Sequence, residues 1–433
     1  MVNTLARRIF RTTSTDPTVA GRLFTWLRPF AHAAYLDSND YPHRPHGRYD
    51  LLVGAGREVE LSAPTGTAFA RWRAWYDARA DWSFGYLSYD LKNEVEQLDS
   101  RHPDGIGGPD LHFFRPRHVI YRRGQSWTVE TLDEDPEAVW RAILRTPIPP
   151  TTASPDLPLP AARMPRPDYL RKVNAVREHI AAGDVYELNL CQEFYYTDVT
   201  VDPADLFLRL NALAKAPFAA YYRQADRYLC CASPERFLQK QGNTLRSQPI
   251  KGTGPRGRTT AEDGALREAL FHSEKDRAEN VMIVDLVRND LARACATGSV
   301  RVEELFGIYP FEGVHQMIST VAGELRPDVH PTEAVRRAFP MGSMTGAPKV
   351  MAMQLIERYE TARRGLYSGA VGYIDPRGDF DFNVVIRSLR YNATDRYLNY
   401  QVGGAIVYDS EAAAEYRECL LKTAGLRAVL GAQ

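Results

Sequence analysis

Pro249-Ile250-Lys251-Gly252-Thr253 is the stretch whose reading decides this chain, because it points to a lysine nucleophile in a small-molecule site. A free lysine amine, with a pKa near ~10.4, is almost fully protonated at neutral pH and attacks carbon only where burial or a cationic neighbour alters that balance. An extended Pro-Ile before Lys251 and a permissive Gly252 after it can hold the side chain in such a place. The pentapeptide alone is equally what a solvated loop lysine looks like, so the surrounding sequence decides.

Working outward, Ser233-Pro234-Glu235-Arg236-Phe237 lies upstream and Lys275-Asp276-Arg277-Ala278-Glu279-Asn280 downstream. Three more segments follow: Gly313-Val314-His315-Gln316-Met317, Pro340-Met341-Gly342-Ser343-Met344-Thr345-Gly346-Ala347-Pro348-Lys349 and Leu366-Tyr367-Ser368-Gly369-Ala370. From about Asp168 to the C-terminus, this order closely resembles the chorismate-utilising enzymes. The spacing is similar to that of the aminodeoxychorismate synthase component I branch. The lysine at 251 is the mark of that branch, where anthranilate synthases usually carry alanine.

Lys+Arg and Asp+Glu both total 54, so the formal net charge is zero and offers no electrostatic footprint for nucleic acid or an anionic membrane. No apolar run approaches the ~20 residues that span a bilayer, and no signal-type apolar region follows Arg7, Arg8 and Arg11. Cys191, Cys230, Cys231, Cys295 and Cys419 lack paired Cys-x-x-Cys spacing and read as reduced, mostly buried thiols. A cytoplasmic protein is expected.

Between 146 and 167 prolines stand at 147, 149, 150, 155, 158, 160, 165 and 167. A residue with fixed φ and no N–H suits neither a helix interior nor a central strand, so 146–167 reads as an extended connector between an N-terminal region, 1–145, and a catalytic region, 168–433. Trp82 to Leu91 reads as a buried strand. Asp168 is a candidate N-cap for a helix with Leu170, Val173, Val176 and Ile180 on one side, ended by Gly183, with a strand from Val185 to Tyr196 after it. Gly369 to Ile374 and Phe380 to Leu389 flank the turn Asp375-Pro376-Arg377-Gly378, Tyr397 to Val407 adds a strand, and Glu411 to Leu426 closes the chain as a helix. This pattern predicts α+β with largely antiparallel pairing. The resemblance implies two facing antiparallel β-sheets with helices packed outside and the active site in a cleft between them.

Asp276 and Glu279 are three residues apart on one predicted helix, and Glu415 and Glu418 repeat that spacing on another. From spacing alone, four solvated helix-face acids are the more ordinary reading. The resemblance assigns Mg2+ to them, with direct contacts from Glu279 and Glu418 and supporting positions for Asp276 and Glu415. It also implies Glu235 as general acid, a place for His315 in the active site, and Tyr367 with Arg387, read on a strand, as holders of a substrate carboxylate. Gly252, Thr253, Thr345, Gly403, Gly404, Ala405 and Lys422 match further substrate contacts. Two positions depart from the pattern: Glu187 stands where aminating relatives usually have glutamine and water-adding relatives a lysine, and Ala405 stands where many have glycine.

The implied reaction joins chorismate and ammonia, with Lys251 adding covalently to the substrate, to give 4-amino-4-deoxychorismate for 4-aminobenzoate and folate synthesis. No Cys-centred glutaminase motif is visible, so ammonia is expected from a separate glutamine amidotransferase subunit. The alternatives are an anthranilate synthase component I, whose feedback-type Leu-Leu-Glu-Ser motif the N-terminal region lacks, and a non-catalytic tryptophan-binding regulatory subunit, against which the intact Lys251, Glu235, Glu279 and Glu418 weigh.

Overall fold

The computed structural model describes residues 6–43, 46–96, 98–149 and 154–432, so residues 150–153 of the proline-rich segment lie outside the described residues. Two 13-residue strands, Leu51–Ala63 and Leu111–Arg123, pair antiparallel along their length with a register shift between Arg57 and Val59. A bulge bends a strand and increases its local twist. Past this one the sheet divides into two limbs.

The first limb runs from Leu51–Ala63 through His32–Asp37, Phe218–Gln224, Arg227–Ser233, Ser388–Asn392 and Tyr397–Ile406 to Glu187–Tyr196. The second runs from Leu111–Arg123 through Ser83–Leu87, Ala370–Ile374, Phe380–Asn383, Arg236–Gln241 and Thr244–Gln248 to Val314–Glu324. Every pairing is antiparallel, and strands from before and after 146–167 contribute to both limbs. The fold is α+β with two antiparallel layers, and the layers are continuous through the long antiparallel pair of Leu51–Ala63 and Leu111–Arg123.

Ala34, Leu52, Ala220, Tyr222 and Leu229 of the first limb pack with Phe84, Val371, Tyr373 and Val385 of the second in one buried cluster. The contact is close: a Cβ on Gly54 would come within 2.6 Å of the Phe84 ring. Burying each such large apolar side chain contributes roughly 1.5–3 kcal/mol. The outer face of the first limb is covered by helices that include Arg166–Ala182, Pro203–Ala214, Lys349–Tyr359 and Ala412–Leu430. The second is covered by Ala68–Ala78, Glu274–Ala292 and Pro331–Ala338.

Several boundaries differ from the sequence expectation for identifiable reasons. The strand at 82–91 ends at Leu87, where Ser88 accepts a hydrogen bond from the Asp90 N–H and turns Tyr89–Leu91 into a short 3-10 helix. The Arg166–Ala182 helix begins before Asp168, with Pro167 in its first turn, where a missing N–H leaves no intrahelical bond unmade. Gly183, at φ 85°, ends it as expected. The run 380–389 splits into Phe380–Asn383 and Ser388–Asn392, so Arg387 is not on a strand: it lies in the intervening bend at φ 52°. Among the described residues no helix is long and apolar enough to cross a membrane.

Candidate active site

Pro249 interrupts one edge of Val314–Glu324. Thr244–Gln248 pairs before it, Ile250–Pro255 after it, and the register jumps between Ile250 and Thr253. Lys251 and Gly252 therefore face a single partner residue, a bulge made possible by Gly252 at φ 100°. A Cβ on Gly252 would press on Asp276 and Met317, at 3.1 and 3.2 Å. The bulge aims Lys251 across to the other layer, where its Nζ meets Glu187 Oε1 at 2.5 Å. Asn280 Nδ2 donates to the Lys251 carbonyl at 3.3 Å, and Ser319 Oγ holds Asn280 Oδ1 at 2.6 Å, so the bulge is tied to the Glu274–Ala292 helix. Glu187 is fully buried, and its Oε2 has no hydrogen-bond partner among the described residues.

Glu235 follows the strand Arg227–Ser233 and is buried. Burial pushes its carboxyl up to about 7, against the opposing pull of the Ser343 hydroxyl, which donates to Oε1 at 2.6 Å, and of the Lys251 charge. A carboxyl poised there can deliver a proton near neutral pH. The sequence reading missed both carboxylate partners. Ser343 lay inside a quoted motif with no role attached, and the Lys251–Glu187 contact joins positions 64 apart on opposite layers.

The two acidic pairs occupy the helices Glu274–Ala292 and Ala412–Leu430. Burial raises Glu279, with Lys251 pulling the other way and Glu187 and Asp276 adding to the rise. Burial likewise raises Glu415, and Glu418 adds to it. Burial would raise Glu418 too, but Lys422 Nζ, 2.7 Å away, brings it below the usual carboxylate range. Lys275 pulls on Glu279, Glu415 and Glu418 alike, which brings the two helices to one site. Asp276 is held by Ser273 Oγ at 2.5 Å.

These four acids are not drawn into one tight cluster: among the described residues, three ligating side chains come within 4.8 Å only at His32, Glu60 and His112. Glu279 and Glu415, raised by burial with neighbouring carboxylates adding to the rise, nevertheless fit, with Glu418 beside them, a hard, oxygen-seeking divalent ion that keeps water and substrate oxygens in its shell.

Burial destabilises the Arg387 guanidinium, and Tyr367 and Glu418 are the groups that offset it. Arg387 makes no ion pair among the described residues. Tyr367 is buried, its hydroxyl 3.7 Å from Cys191 Sγ. Lys422 Nζ donates to the Gly403 carbonyl at 2.9 Å, and a Cβ on Gly404 would lie 3.4 Å from Glu415 and 3.8 Å from Glu418. Ala405 sits opposite Asn189, whose N–H donates to the Thr345 carbonyl at 2.8 Å. The Thr345 hydroxyl is taken by the carbonyls of Met341 and Gly342, and Thr253 is exposed. His315 hydrogen-bonds Asp263 through Nε2 at 3.0 Å and has no hydrogen bond to Lys251 or Glu235; its Nδ1 is buried without a partner among the described residues.

This arrangement can bind a polyanionic small molecule between an amine, a proton donor and a pair of acid-bearing helices, and comparison with known proteins agrees. The profile of the chorismate binding enzymes matches residues 32–428. Aminodeoxychorismate synthase component 1 of Klebsiella aerogenes is 38% identical over 337 residues, covering 78% of this chain and 74% of that protein. The aminodeoxychorismate synthase of Streptomyces griseus is 39% identical over 370 residues, covering 80% of this chain; the chain spans about half of that longer relative, 49%. The crystal structure of anthranilate synthase component I from Streptococcus pneumoniae superposes with a TM-score of 0.76 at 25% identity, covering 89% of this chain and 93% of the other. With a matching profile over nearly its whole length and a shared architecture, the chain belongs to the chorismate binding enzymes.

Proposed function

We propose that this chain converts chorismate and ammonia to 4-amino-4-deoxychorismate, the precursor of 4-aminobenzoate for folate synthesis, as the synthase component beside a separate glutamine amidotransferase. The observation that carries this reading is the Lys251 amine, set by a bulge between Glu187 at 2.5 Å and the charge-coupled Glu235. The names of the Klebsiella and Streptomyces relatives support it. Five free, buried cysteines support a reducing, cytoplasmic setting.

The resting lysine is paired with a carboxylate, so attack requires that its proton leave. Glu187 is the acceptor in contact with it. The freed amine adds to C2 of chorismate, the ring double bond shifts, and the C4–O bond breaks as Glu235 gives its proton to the departing hydroxyl, which leaves as water. Ammonia then adds at C4, the double bond returns, and the C2–N bond breaks, restoring the Lys251 amine. Glu187 and Glu235 exchange their protons with solvent to complete the cycle. Arg387 and Tyr367 orient a substrate carboxylate, and Glu279 and Glu418, supported by Asp276 and Glu415, would hold Mg2+. When bound, that ion clamps a substrate carboxylate and offsets its charge.

The test mixes the purified chain with chorismate, Mg2+ and ammonium at alkaline pH and identifies the product by mass spectrometry. A product with one hydroxyl replaced by an amino group is expected, with no turnover when glutamine replaces ammonium. Anthranilate with pyruvate would assign the chain to the anthranilate branch, and intact chorismate would leave a binding role.

A further inference from the structure

At the bend where the two limbs part, three strands bring His32, Glu60 and His112 together far from Lys251 in sequence. His32 Nε2 lies 2.7 Å and His112 Nε2 3.2 Å from the same oxygen, Oε2 of Glu60. Their ligating atoms all fall within 4.8 Å of one another. We propose that His32, Glu60 and His112 form a second metal site, which takes a divalent transition ion of the zinc class.

The donor set is the first support. Two imidazoles and one carboxylate make a three-ligand site that leaves a position for water, and nitrogen-rich donors favour later first-row ions over Mg2+. The second support is the surroundings of each ligand. His112 is fully buried and its Nδ1 meets the Tyr222 hydroxyl at 2.6 Å. A hydroxyl can accept as well as donate, so Tyr222 can take an Nδ1–H and leave Nε2 free to ligate, the outer-shell arrangement that orients metal-bound histidines. Arg57 Nη1 grips the other oxygen of Glu60 and turns Oε2 toward the histidines. Arg223, the remaining nearby cation, is engaged with the carbonyls of Arg28 and Ala225.

The third support is position. His32 opens the strand His32–Asp37, while Glu60 and His112 stand on the two long strands just past the Arg57–Val59 register shift. An ion there would tie three strands at the place where one sheet becomes two. The Glu60 carboxylate offsets part of the charge of a dication, and its side chain, 30% exposed, gives the ion a way in.

The test uses the full chain stripped with a chelator, with Zn2+ and Co2+ as probes. Expected are one equivalent of Zn2+ retained per chain after desalting, a visible cobalt band of a low-coordinate nitrogen-bound site that Zn2+ abolishes at one equivalent, and a rise in melting temperature with Zn2+. Glu60→Gln, a change at a partly exposed side chain that keeps its shape, and His112→Ala should each lose the equivalent and the cobalt band. Tyr222→Phe should weaken affinity by about 10–100-fold, whereas Glu418→Ala should retain the equivalent. No retained equivalent in the wild type overturns the proposal, as does retention by Glu60→Gln at wild-type affinity. Loss in Glu418→Ala with retention in Glu60→Gln would place the zinc at the acidic helices instead.

Discussion

The two ends of the candidate site treat carboxylates in opposite ways. At one end Glu235 is buried with a hydroxyl 2.6 Å away and a lysine acting only through its field, and its proton is held up to about 7. At the other, Glu418 is more open to water, its side chain 55% exposed, an ammonium stands 2.7 Å away and the carboxyl falls below its ordinary range. Desolvation disfavours charge at both ends, and a cation in direct contact reverses it. One end favours a held proton and the other a negative charge, the division of labour on which the proposed expulsion of a hydroxyl from a dianionic substrate rests.

Removing the amine tests the proton-handling end most severely. Lys251→Ala should lower turnover with ammonium by more than the ~10²–10⁴-fold typical of losing a general acid, leaving slow direct addition. Wild-type protein given chorismate and Mg2+ without ammonia should show a substrate-derived mass on the peptide that contains Lys251. Near-normal activity in the variant with no adduct in the wild type would refute covalent catalysis.

Glu235→Gln should cost turnover by ~10²–10⁴-fold and abolish the alkaline fall of the wild-type kcat profile, because only the protonated carboxyl donates. The sign follows from the raised value: the acid form is present below about 7 and lost above it. The same shift gives a stability contribution that is complete below about 4.5 and gone above about 7, a slope that Glu235→Gln should remove from urea melts measured across that window. An unchanged kcat profile would shift the proton donor elsewhere.

At the cation-binding end, Glu418→Ala should fold normally and require at least ~10–100-fold more Mg2+ for half-maximal rate, since that much is lost when a merely supporting partner of a metal is removed. An unchanged Mg2+ requirement would take Glu418 out of contact with the ion. The smallest effect is expected at Glu187→Gln, which keeps an oxygen for Lys251 but cannot take its proton. Turnover should fall less than about tenfold at alkaline pH, where hydroxide substitutes, and further at neutral pH. A uniform loss across pH would make Glu187 a positioning residue only.

Much of this was legible in the linear chain. The closing helix, the hairpin at Asp375-Pro376-Arg377-Gly378 and the Gly183 helix end were readable because turn and cap residues act locally. The strand carrying Arg387 was overextended because nothing local announces a bend of four residues with a positive φ between two β-rich runs. His315 belongs to a quoted motif, and its ring meets Asp263 on the helix Thr260–Phe271, a contact that depends on which face the strand register presents.

The sequence by itself determined the kinds of chemistry available here: a lysine with glycine beside it, a carboxyl sixteen positions earlier and two acid pairs at helical spacing, since residue types and short-range periodicity belong to the chain alone. Only the tertiary structure decided which groups face each other. The bulge at Lys251–Gly252, the contact with Glu187 and the gathering of His32, Glu60 and His112 depend on strand register between segments distant in sequence, and in a sheet a shift of one residue would send each side chain to the opposite face.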